Sequence, residues 1–293
     1  MTPTRRKPRS PRRSASRRRT PPTDGWAVVD LNADLGEGPW EGTSDEALLG
    51  IVTSANVACG VHAGDAETMR RVCAAAVRSG VVVGAHVSYA DRSGFGRRPM
   101  SVPPEELADL VLAQLTSLAG VASSEGASVD YCKPHGALYT TIATDEEQAT
   151  AVARACAAFR PGLPVLGLPG SVWMRVATRH GLTAVGEAFA DRAYAADATL
   201  VPRSAPGAVL HDAAAITDRV VAMVRSGSVE MVTGERVAVD IASICVHGDT
   251  PGAVAIARSV RAGLEAAGIR LAPFVRADTQ TTPLHDRRCA DPE

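Results

Sequence analysis

The stretch Ala27–Leu31 (AVVDL) is a short β-branched run that predicts a buried strand, and it leads at once into the polar residues Asn32, Asp34 and Glu37. The same order, an apolar run followed by residues that can bind a ligand or move a proton, returns at most of the later strand-like runs. Helical patterns lie between them. Repeated strand-then-helix units are typical of a parallel sheet, and seven or eight of them in about 250 residues favour one closed β/α barrel. The alternative is an open doubly wound sheet, but no G-x-G-x-x-G turn follows the first strand.

The other strands are predicted from apolar and β-branched runs of similar length. These runs are Val57–Cys59, which can start as early as Ile51, Val81–Ala85, Val129–Cys132, Val165–Leu168, Thr183–Gly186 and a part of Val237–Val246. A weaker run, Ile269–Phe274, predicts either an eighth strand or a segment that closes the barrel.

Helix boundaries are predicted from capping signals. One apolar helical pattern ends at Gly80, where a C-terminal cap is expected, and another begins after Pro103–Pro104. Thr144 with Glu147 has the form of a capping box. Thr250–Pro251 places a capping hydroxyl before a proline suited to a first helical turn.

Composition separates a barrel-sized body from a basic N-terminal segment. Residues 1–25 hold nine of the 31 Lys and Arg residues and a single acidic residue, so the remainder has 22 basic against 31 acidic residues. A segment so charged and so poor in apolar side chains cannot bury enough surface to fold. We therefore expect residues 1–25 to form a disordered Arg-rich tail, inert or translated from a misassigned start, residues 26–276 the barrel, and 277–293 a C-terminal tail. The acidic body offers nucleic acid no second basic surface, so nucleic acid is not an expected partner.

Cysteine usage and hydropathy indicate the cellular compartment. The six cysteines show no C-x-x-C pairing and mostly lie in apolar runs, as core residues in a reducing compartment do. No uninterrupted apolar stretch approaches the roughly 18 residues that span a bilayer. We predict a cytoplasmic protein without a membrane partner. The oligomeric state stays open, with a homo-oligomer as one possibility.

Candidate catalytic residues follow the predicted strands. In a parallel barrel the carboxyl ends of all strands lie on one face, so residues spread over the chain are expected to meet in one cavity there. The candidates are Asp34, Glu37, His62, Asp65, His86, Lys133, His135, Glu187, His247 and Asp249.

Lys133 is unusual because the chain otherwise uses arginine and has only one further lysine, Lys7, in the N-terminal segment. This exception to the arginine bias indicates a site that needs a compact ammonium, or one that can lose its proton. The competing interpretation is a chance surface lysine. Four histidines that follow predicted strands are interpreted together as functional residues, and the alternative is that each is a structural histidine. They are His62, His86, His135 and His247.

A second set of residues is predicted to bind the substrate or a phosphate. Arginines on glycine- or proline-shaped loops can clamp a carboxylate or phosphate through two nitrogens, but they can equally be solvated charges that balance the acidic body. The predicted binding residues are Asn32, Arg97, Arg98, Asp191, Arg192 and Arg203.

Two cofactor questions are open at this level. A His-x-x-Asp pair with further polar residues can hold a divalent metal, with Asp34, His62, Asp65 and His86 as candidate ligands, and the same residues can serve metal-free acid–base catalysis. No G-x-x-x-x-G-K-[ST] motif is present, so a P-loop does not hold any nucleotide used here.

Several motif strings, in order between Val28 and Phe274, closely resemble the LamB/YcsF family, the A subunits of prokaryotic 5-oxoprolinases. This chain has Val87 and Ala90 where the family usually has proline, which affects the expected shape of the loop Ser88–Asp91. The matching strings are Asp30–Gly38, Ser54–Asp65, Gly84–His86, Asp91–Arg92, Gly94–Arg98, Lys133–Tyr139, Glu187–Arg192, Leu200–Ser204 and Cys245–Asp249.

The resemblance implies a barrel similar to those of glycoside hydrolases and deacetylases, acting with partner subunits B and C. The implied reaction opens the lactam of 5-oxo-L-proline with water and ATP, as its Mg complex, to give L-glutamate, ADP and phosphate. Under this hypothesis Lys133 and an arginine stabilise the oxyanion or phosphate, and Asp34, Glu187 or a histidine activates water. Two alternatives remain: a metal-dependent amide or polysaccharide deacetylase, and a non-catalytic scaffold protein.

Overall fold

The computed structural model describes residues 27–38 and 44–275. The predicted tails, residues 1–25 and 277–293, lie outside the described residues. Strand bounds within the described part are β1 (Val28–Leu35), β2 (Ser54–Ala58), β3 (Val82–Val87), β4 (Val129–Pro134), β5 (Pro164–Gly167), β6 (Thr183–Phe189), β7 (Ser228–Glu230), β8 (Arg236–Ala238), β9 (Ser243–Val246) and β10 (Arg270–Leu271).

Seven parallel strands close into a barrel, which confirms the predicted fold class. The strands pair in the order β1-β2-β3-β4-β5-β6-β9, and β9 pairs in turn with β1. Closure removes both sheet edges and places the carboxyl ends of all seven strands on one face.

The seventh strand, predicted within Val237–Val246, is confirmed as β9, and the last predicted run does not form an eighth barrel strand. Only the end of Val237–Val246 enters the barrel, as β9, whereas β8 forms an antiparallel hairpin with β7 outside it. Within Ile269–Phe274, β10 pairs only with the first residues of β1, where Val28 faces Arg270 and Val29 faces Leu271. This run is therefore a closing segment, and the barrel has seven strands.

The helices connect successive strands around the outside of the barrel. Their bounds are α1 (Asp45–Leu49), α2 (Ala66–Ser79), α3 (Pro104–Ser124), α4 (Gly136–Ile142), α5 (Glu146–Phe159), α6 (Val172–Arg179), α7 (Ala213–Ser226) and α8 (Ala253–Ala266). One of them, α3, is long and apolar enough to cross a membrane by length and composition alone. Its residues Leu107, Val111 and Leu115 are fully buried, and it packs against α5 and β3, so core packing accounts for its composition.

Two predicted helix caps are wrong by one or two residues. Asp145, not Thr144, caps α5, and its side chain accepts the backbone N–H of Gln148. Gly252 precedes α8 without a side-chain cap, while the Thr250 hydroxyl donates to Asp191 Oδ2 at 3.0 Å. The predicted start after Pro103–Pro104 and the left-handed C-cap at Gly80 are confirmed.

Strand β1 runs four residues beyond the predicted end at Leu31. Its side chains point alternately to the two faces of the barrel wall. Asn32 and Asp34 both contact Lys133 of β4, a strand that does not neighbour β1, so these side chains cross the barrel interior. The alternating residues Val29, Leu31, Ala33 and Leu35 are buried in the hydrophobic layer. The interior is thus polar and the layer under the helices apolar.

Gly84 on β3 makes room for an aromatic side chain inside the barrel. A Cβ at this position would lie 2.2 Å from the ring of Tyr131, closer than any normal contact. The ring of Phe274 packs edge-on against Tyr131, with centroids 5.0 Å apart. Together with Val82 and Leu166, these rings form a small second core below the polar interior.

Candidate active site at the carboxyl ends of the strands

Lys133 lies at the centre of the polar interior. Its Nζ is 2.9 Å from Glu187 Oε1, 3.0 Å from Asp34 Oδ1 and 3.0 Å from Cys245 Sγ. Burial lowers the pKa of this ammonium, but Asp34, Cys245 and Glu187 outweigh that effect and hold it well above its ordinary value. Lys133 is therefore a buried ammonium that is charged at neutral pH.

Amide side chains fix the carboxylates around this ammonium. Asn56 Nδ2 donates to Asp34 Oδ1 at 2.8 Å and to Asn32 Oδ1 at 2.6 Å, and the Tyr131 hydroxyl donates to Asn56 Oδ1 at 2.6 Å. Burial raises the pKa of Asp34, but His86 and Lys133 hold it well below its ordinary value. A buried charge is stable only when it is paired and hydrogen-bonded, and this network meets both conditions.

Three histidines and Glu37 form a second cluster beside Asp34. Glu37 follows β1, His62 follows β2, His86 lies near the end of β3 and His135 follows β4. Glu37 Oε1 lies 3.3 Å from His62 Nε2, 3.3 Å from His135 Nδ1 and 3.8 Å from His86 Nε2. The His62 and His135 rings stack with centroids 4.0 Å apart.

Burial controls the protonation of this cluster. Desolvation, reinforced by His86, lowers the pKa of His62 to about 3 and that of His135 well below its ordinary value. Desolvation together with Asp34 raises the pKa of Glu37 well above its ordinary value. His62 and His135 are therefore neutral imidazoles near pH 7, each with a nitrogen lone pair that can bind a cation.

A histidine–aspartate pair forms the opposite wall. His247 Nδ1 lies 2.7 Å from Asp191 Oδ1, and the His247 ring stacks on Phe189 with centroids 5.5 Å apart. Lys133 Nζ lies 5.3 Å from the centre of the same Phe189 ring. The wall combines an oriented imidazole with an apolar surface.

Three arginines lie at the rim. Arg97 and Arg203 both approach the carboxylate of Asp249, the second at 3.6 Å. The buried Arg192 donates to the carbonyls of Val201 and Ala208, and among the described residues no carboxylate lies within ion-pair distance of it. Burial and Arg203 lower the pKa of Arg192 to about 10, so it is still a cation at pH 7. A buried cation without an ion-pair partner among the described residues favours an anionic ligand.

These groups line one cavity of about 50 Å³. Its lining includes Asp34, Glu37, His86, Arg97, Lys133, His135, Tyr139, Phe189, Arg192, Arg203, His247 and Asp249. His62, Glu187, Asn32 and Asp191 contact this lining through the bonds described above. The structure therefore brings together residues that are spread over more than 200 positions of the chain.

Two of the sequence-predicted site residues lie elsewhere. Asp65 is exposed and caps α2, where its Oδ1 accepts the N–H and the hydroxyl of Thr68. Arg98 pairs with Asp91, and its side chain is 63% exposed. Capping of α2 explains the position of Asp65, and the ion pair with Asp91 explains that of Arg98.

Sequence reasoning missed several residues of the site. Asp30 accepts hydrogen bonds from the hydroxyls of Thr53, Ser54 and Ser243, and Cys245 contacts Lys133. Asp30, Asn32 and Asp34 are spaced two apart, and this period could have placed Asp30 on the interior face. Asn56, Tyr131 and Cys245 lie within apolar strands and show no such signal.

Metal-binding capacity is limited to three groups within residues 27–38 and 44–275. In each group the ligand atoms of three side chains lie within 4.8 Å of one another. The groups are Asp34 with Cys245 and His247, Glu37 with His62 and His135, and Asp34 with Glu37 and His86. Because the ammonium of Lys133 contacts both Asp34 and Cys245, the first group is occupied by a cation of the protein itself. Asp65, predicted as a ligand, belongs to none of the three.

Known proteins resemble this chain over nearly all of the barrel. The sequence profile of the LamB/YcsF family matches residues 29–279. The A subunit of 5-oxoprolinase from Streptomyces avermitilis is 55% identical over 249 residues, covering 84% of this chain and 100% of that protein. Its counterpart of the same name from Mycobacterium avium is 56% identical over 250 residues, covering 85% and 99%.

One solved structure resembles this chain in both sequence and fold, and another resembles it in fold alone. A lactam utilization protein from Thermus thermophilus has a TM-score of 0.79 at 42% sequence identity, covering 84% of this chain and 100% of that one. A putative cellobiose-phosphate cleavage protein from Enterococcus faecalis has a TM-score of 0.50 at 14% identity, covering 84% and 97%, and shares the fold alone.

Proposed function

Because the chain belongs to the LamB/YcsF family, we propose that it is the A subunit of an ATP-dependent 5-oxoprolinase, a cytoplasmic hydrolase that opens 5-oxo-L-proline to L-glutamate with subunits B and C. The names of its relatives describe each of them as one subunit of a larger protein. The observation that carries the proposal is the buried Lys133 ammonium in a cavity rimmed by Arg97, Arg192 and Arg203.

The charges of the cavity suit a small anionic lactam. The substrate carries one carboxylate, and Arg192 offers a buried cation that has no carboxylate partner among the described residues. Phe189 offers an apolar face for the ring methylenes. Lys133 would then stabilise negative charge that develops on the lactam oxygen, because a fixed cation in a dry site is most effective where charge develops.

ATP, as its Mg²⁺ complex, supplies the driving force in this proposal. The lactam oxygen takes the γ-phosphoryl group and ADP leaves, which makes the ring carbon electrophilic. One water adds to that carbon and the C–N bond breaks with protonation of the nitrogen, leaving an acyl phosphate. A second water cleaves the acyl phosphate to glutamate and phosphate, so one ATP and two waters are consumed.

Proton transfer falls to the cluster around Glu37. Asp34 pairs with Lys133, and its lowered pKa weakens it as a base. Burial and Asp34 raise the pKa of Glu37, which strengthens it as a base, and its Oε1 lies 3.3 Å from the neutral rings of His62 and His135. We assign water activation to Glu37, oriented by these two histidines.

Reconstitution tests the proposal. The purified chain is mixed with its neighbouring B and C gene products, and glutamate formed from 5-oxoproline is measured with and without ATP. We expect glutamate only when ATP and all three proteins are present. Absence of product from the complete mixture would overturn the proposal.

A metal-dependent amide or polysaccharide deacetylase is the second candidate, and the cluster of Glu37 with three histidines favours it. Such an enzyme would act alone. Release of acetate from an N-acetylated sugar by the isolated chain, without ATP or partners, would support this candidate. If the chain is instead a non-catalytic scaffold, cavity substitutions will leave the complete mixture fully active.

A further inference from the structure

His86 Nε2 and His135 Nδ1 face each other across 3.0 Å. His86 Nδ1 lies 3.0 Å from the backbone oxygen of Lys133, and His135 Nε2 lies 2.9 Å from that of Phe95. A carbonyl oxygen only accepts hydrogen bonds, so each of these outer nitrogens carries a proton. The inner nitrogens, His86 Nε2 and His135 Nδ1, are the ones turned toward the carboxylates.

Two carboxylate oxygens point at the same place. Asp34 Oδ1 is used by Lys133 and Asn56, which leaves Oδ2 at 3.4 Å from His86 Nε2. Glu37 Oε1 lies 3.3 Å from His135 Nδ1. His62 Nε2 adds a further nitrogen at 3.3 Å from the same Glu37 oxygen.

Imidazole nitrogens and carboxylate oxygens converge here, with 3.0 to 3.4 Å between His86 Nε2 and His135 Nδ1, between each of these nitrogens and a carboxylate oxygen, and between His62 Nε2 and Glu37. The ligand atoms of Glu37, His62 and His135 all lie within 4.8 Å of one another, as do those of Asp34, Glu37 and His86. One cation among them would attract every one of these atoms. The backbone carbonyls of Lys133 and Phe95 fix the tautomers in the way that outer hydrogen bonds orient metal-binding histidines.

We propose that Glu37, His62, His86 and His135, with Asp34 Oδ2 at the edge, form a binding site for one divalent transition-metal ion. Imidazole with carboxylate is the ligand set of zinc and of the neighbouring metals manganese, iron and cobalt. The existence of the site rests on this geometry, whereas any part in lactam opening rests on the proposed function.

When bound, such an ion would polarise a carbonyl or acidify a water beside Lys133. The protein-only alternative is a single proton shared between His86 and His135. The two differ in stoichiometric metal binding, which can be measured on the isolated chain.

The test uses the full-length chain, stripped with a chelator and titrated with Zn²⁺, Mn²⁺ and Co²⁺. Bound metal is measured by mass spectrometry after desalting, and the Co²⁺ form is examined for visible absorption of imidazole-bound cobalt. We expect about one ion per chain, and affinity at least about 10-fold weaker in Glu37→Gln and His86→Ala. Glu37 follows β1 in a partly exposed loop, so Glu37→Gln keeps the proposal testable if His86→Ala fails to fold.

His211→Ala is the matched control, because His211 is an exposed histidine outside the cavity. It should bind metal as the unchanged chain does. Failure of the unchanged chain to retain any of the three metals, or equal retention by Glu37→Gln and His86→Ala, would overturn the metal site. The measurement contains neither ATP nor partner subunits, so it is independent of whether the complete mixture opens the lactam.

Discussion

Lys133 Nζ lies 3.0 Å from Asp34 Oδ1, an ion pair that joins β4 to β1 across the inside of the barrel. Both side chains are buried, and Glu187 lies 2.9 Å from the same ammonium. One cation therefore holds two carboxylates in the barrel interior, and the first prediction concerns its removal.

Lys133→Met should lower the kcat of lactam opening by at least about 100-fold, since it deletes the fixed charge in the cavity. It should also lower the free energy of unfolding by about 3–5 kcal/mol, because Asp34 and Glu187 are left buried without a cation. Steady-state assays of the complete mixture and urea unfolding measure the two effects.

The control for Lys133→Met is Arg154→Met, which breaks an exposed ion pair with Glu105. This surface pair contributes about 0–1 kcal/mol, so activity and stability should barely change. Full activity of a folded Lys133→Met protein would refute the role of the ammonium.

Arg192→Gln should raise the KM for 5-oxoproline about 10- to 100-fold with a smaller change in kcat. The reason is the loss of a charge-assisted hydrogen bond to the substrate carboxylate, which contributes about 1.5–3 kcal/mol. Arg175→Gln is the control, because Arg175 also donates to two backbone carbonyls but lies outside the cavity. An unchanged KM in Arg192→Gln would remove Arg192 from substrate binding.

Asp30 gives a pH-dependent prediction. Burial raises the pKa of its carboxyl to about 6, above the unfolded-state pKa near 3.8. The contribution of Asp30 to the free energy of unfolding is therefore at its full value only below about pH 3.8. This contribution falls as the pH rises through 6, by about 3 kcal/mol in total. The free energy of unfolding of the unchanged chain, relative to that of Asp30→Asn, should therefore decrease from pH 4 to pH 7, as measured by urea unfolding at each pH. A difference that is constant over this range would contradict the raised pKa.

Gly84→Ala should destabilise the barrel by about 1–3 kcal/mol, because the new Cβ would collide with the ring of Tyr131. Gly120→Ala is the matched control. Gly120 lies within α3 with no atom near its missing Cβ, so alanine there should stabilise by about 0.5–1 kcal/mol. Thermal unfolding of both variants checks the prediction, and a neutral Gly84→Ala would show that Tyr131 can move aside.

The class of fold and the face that carries the site can be predicted from local patterns in the sequence. Apolar runs that alternate with amphipathic helices require a parallel sheet covered on its outside, and polar residues after the runs mark the carboxyl ends. These signals are local in the chain, so they can be interpreted without knowing which strands meet.

The sequence does not determine the strand boundaries or the number of barrel strands, because both depend on which strands pair. Polar residues in β1 resemble a strand end until Lys133 of β4 is known to lie opposite. The run Ile269–Phe274 has the composition of a barrel strand, but closure of β9 onto β1 leaves it only the start of β1 as a partner.

The charges of the site depend on the tertiary structure. Burial and neighbours at 3 to 4 Å make Lys133 a cation and leave His62 and His135 neutral, although these residues lie far apart in the chain. The same proximity separates Asp65 and Arg98, which satisfy local partners, from residues that share the cavity. A pKa depends on distances through space, and spacing along a sequence does not supply them.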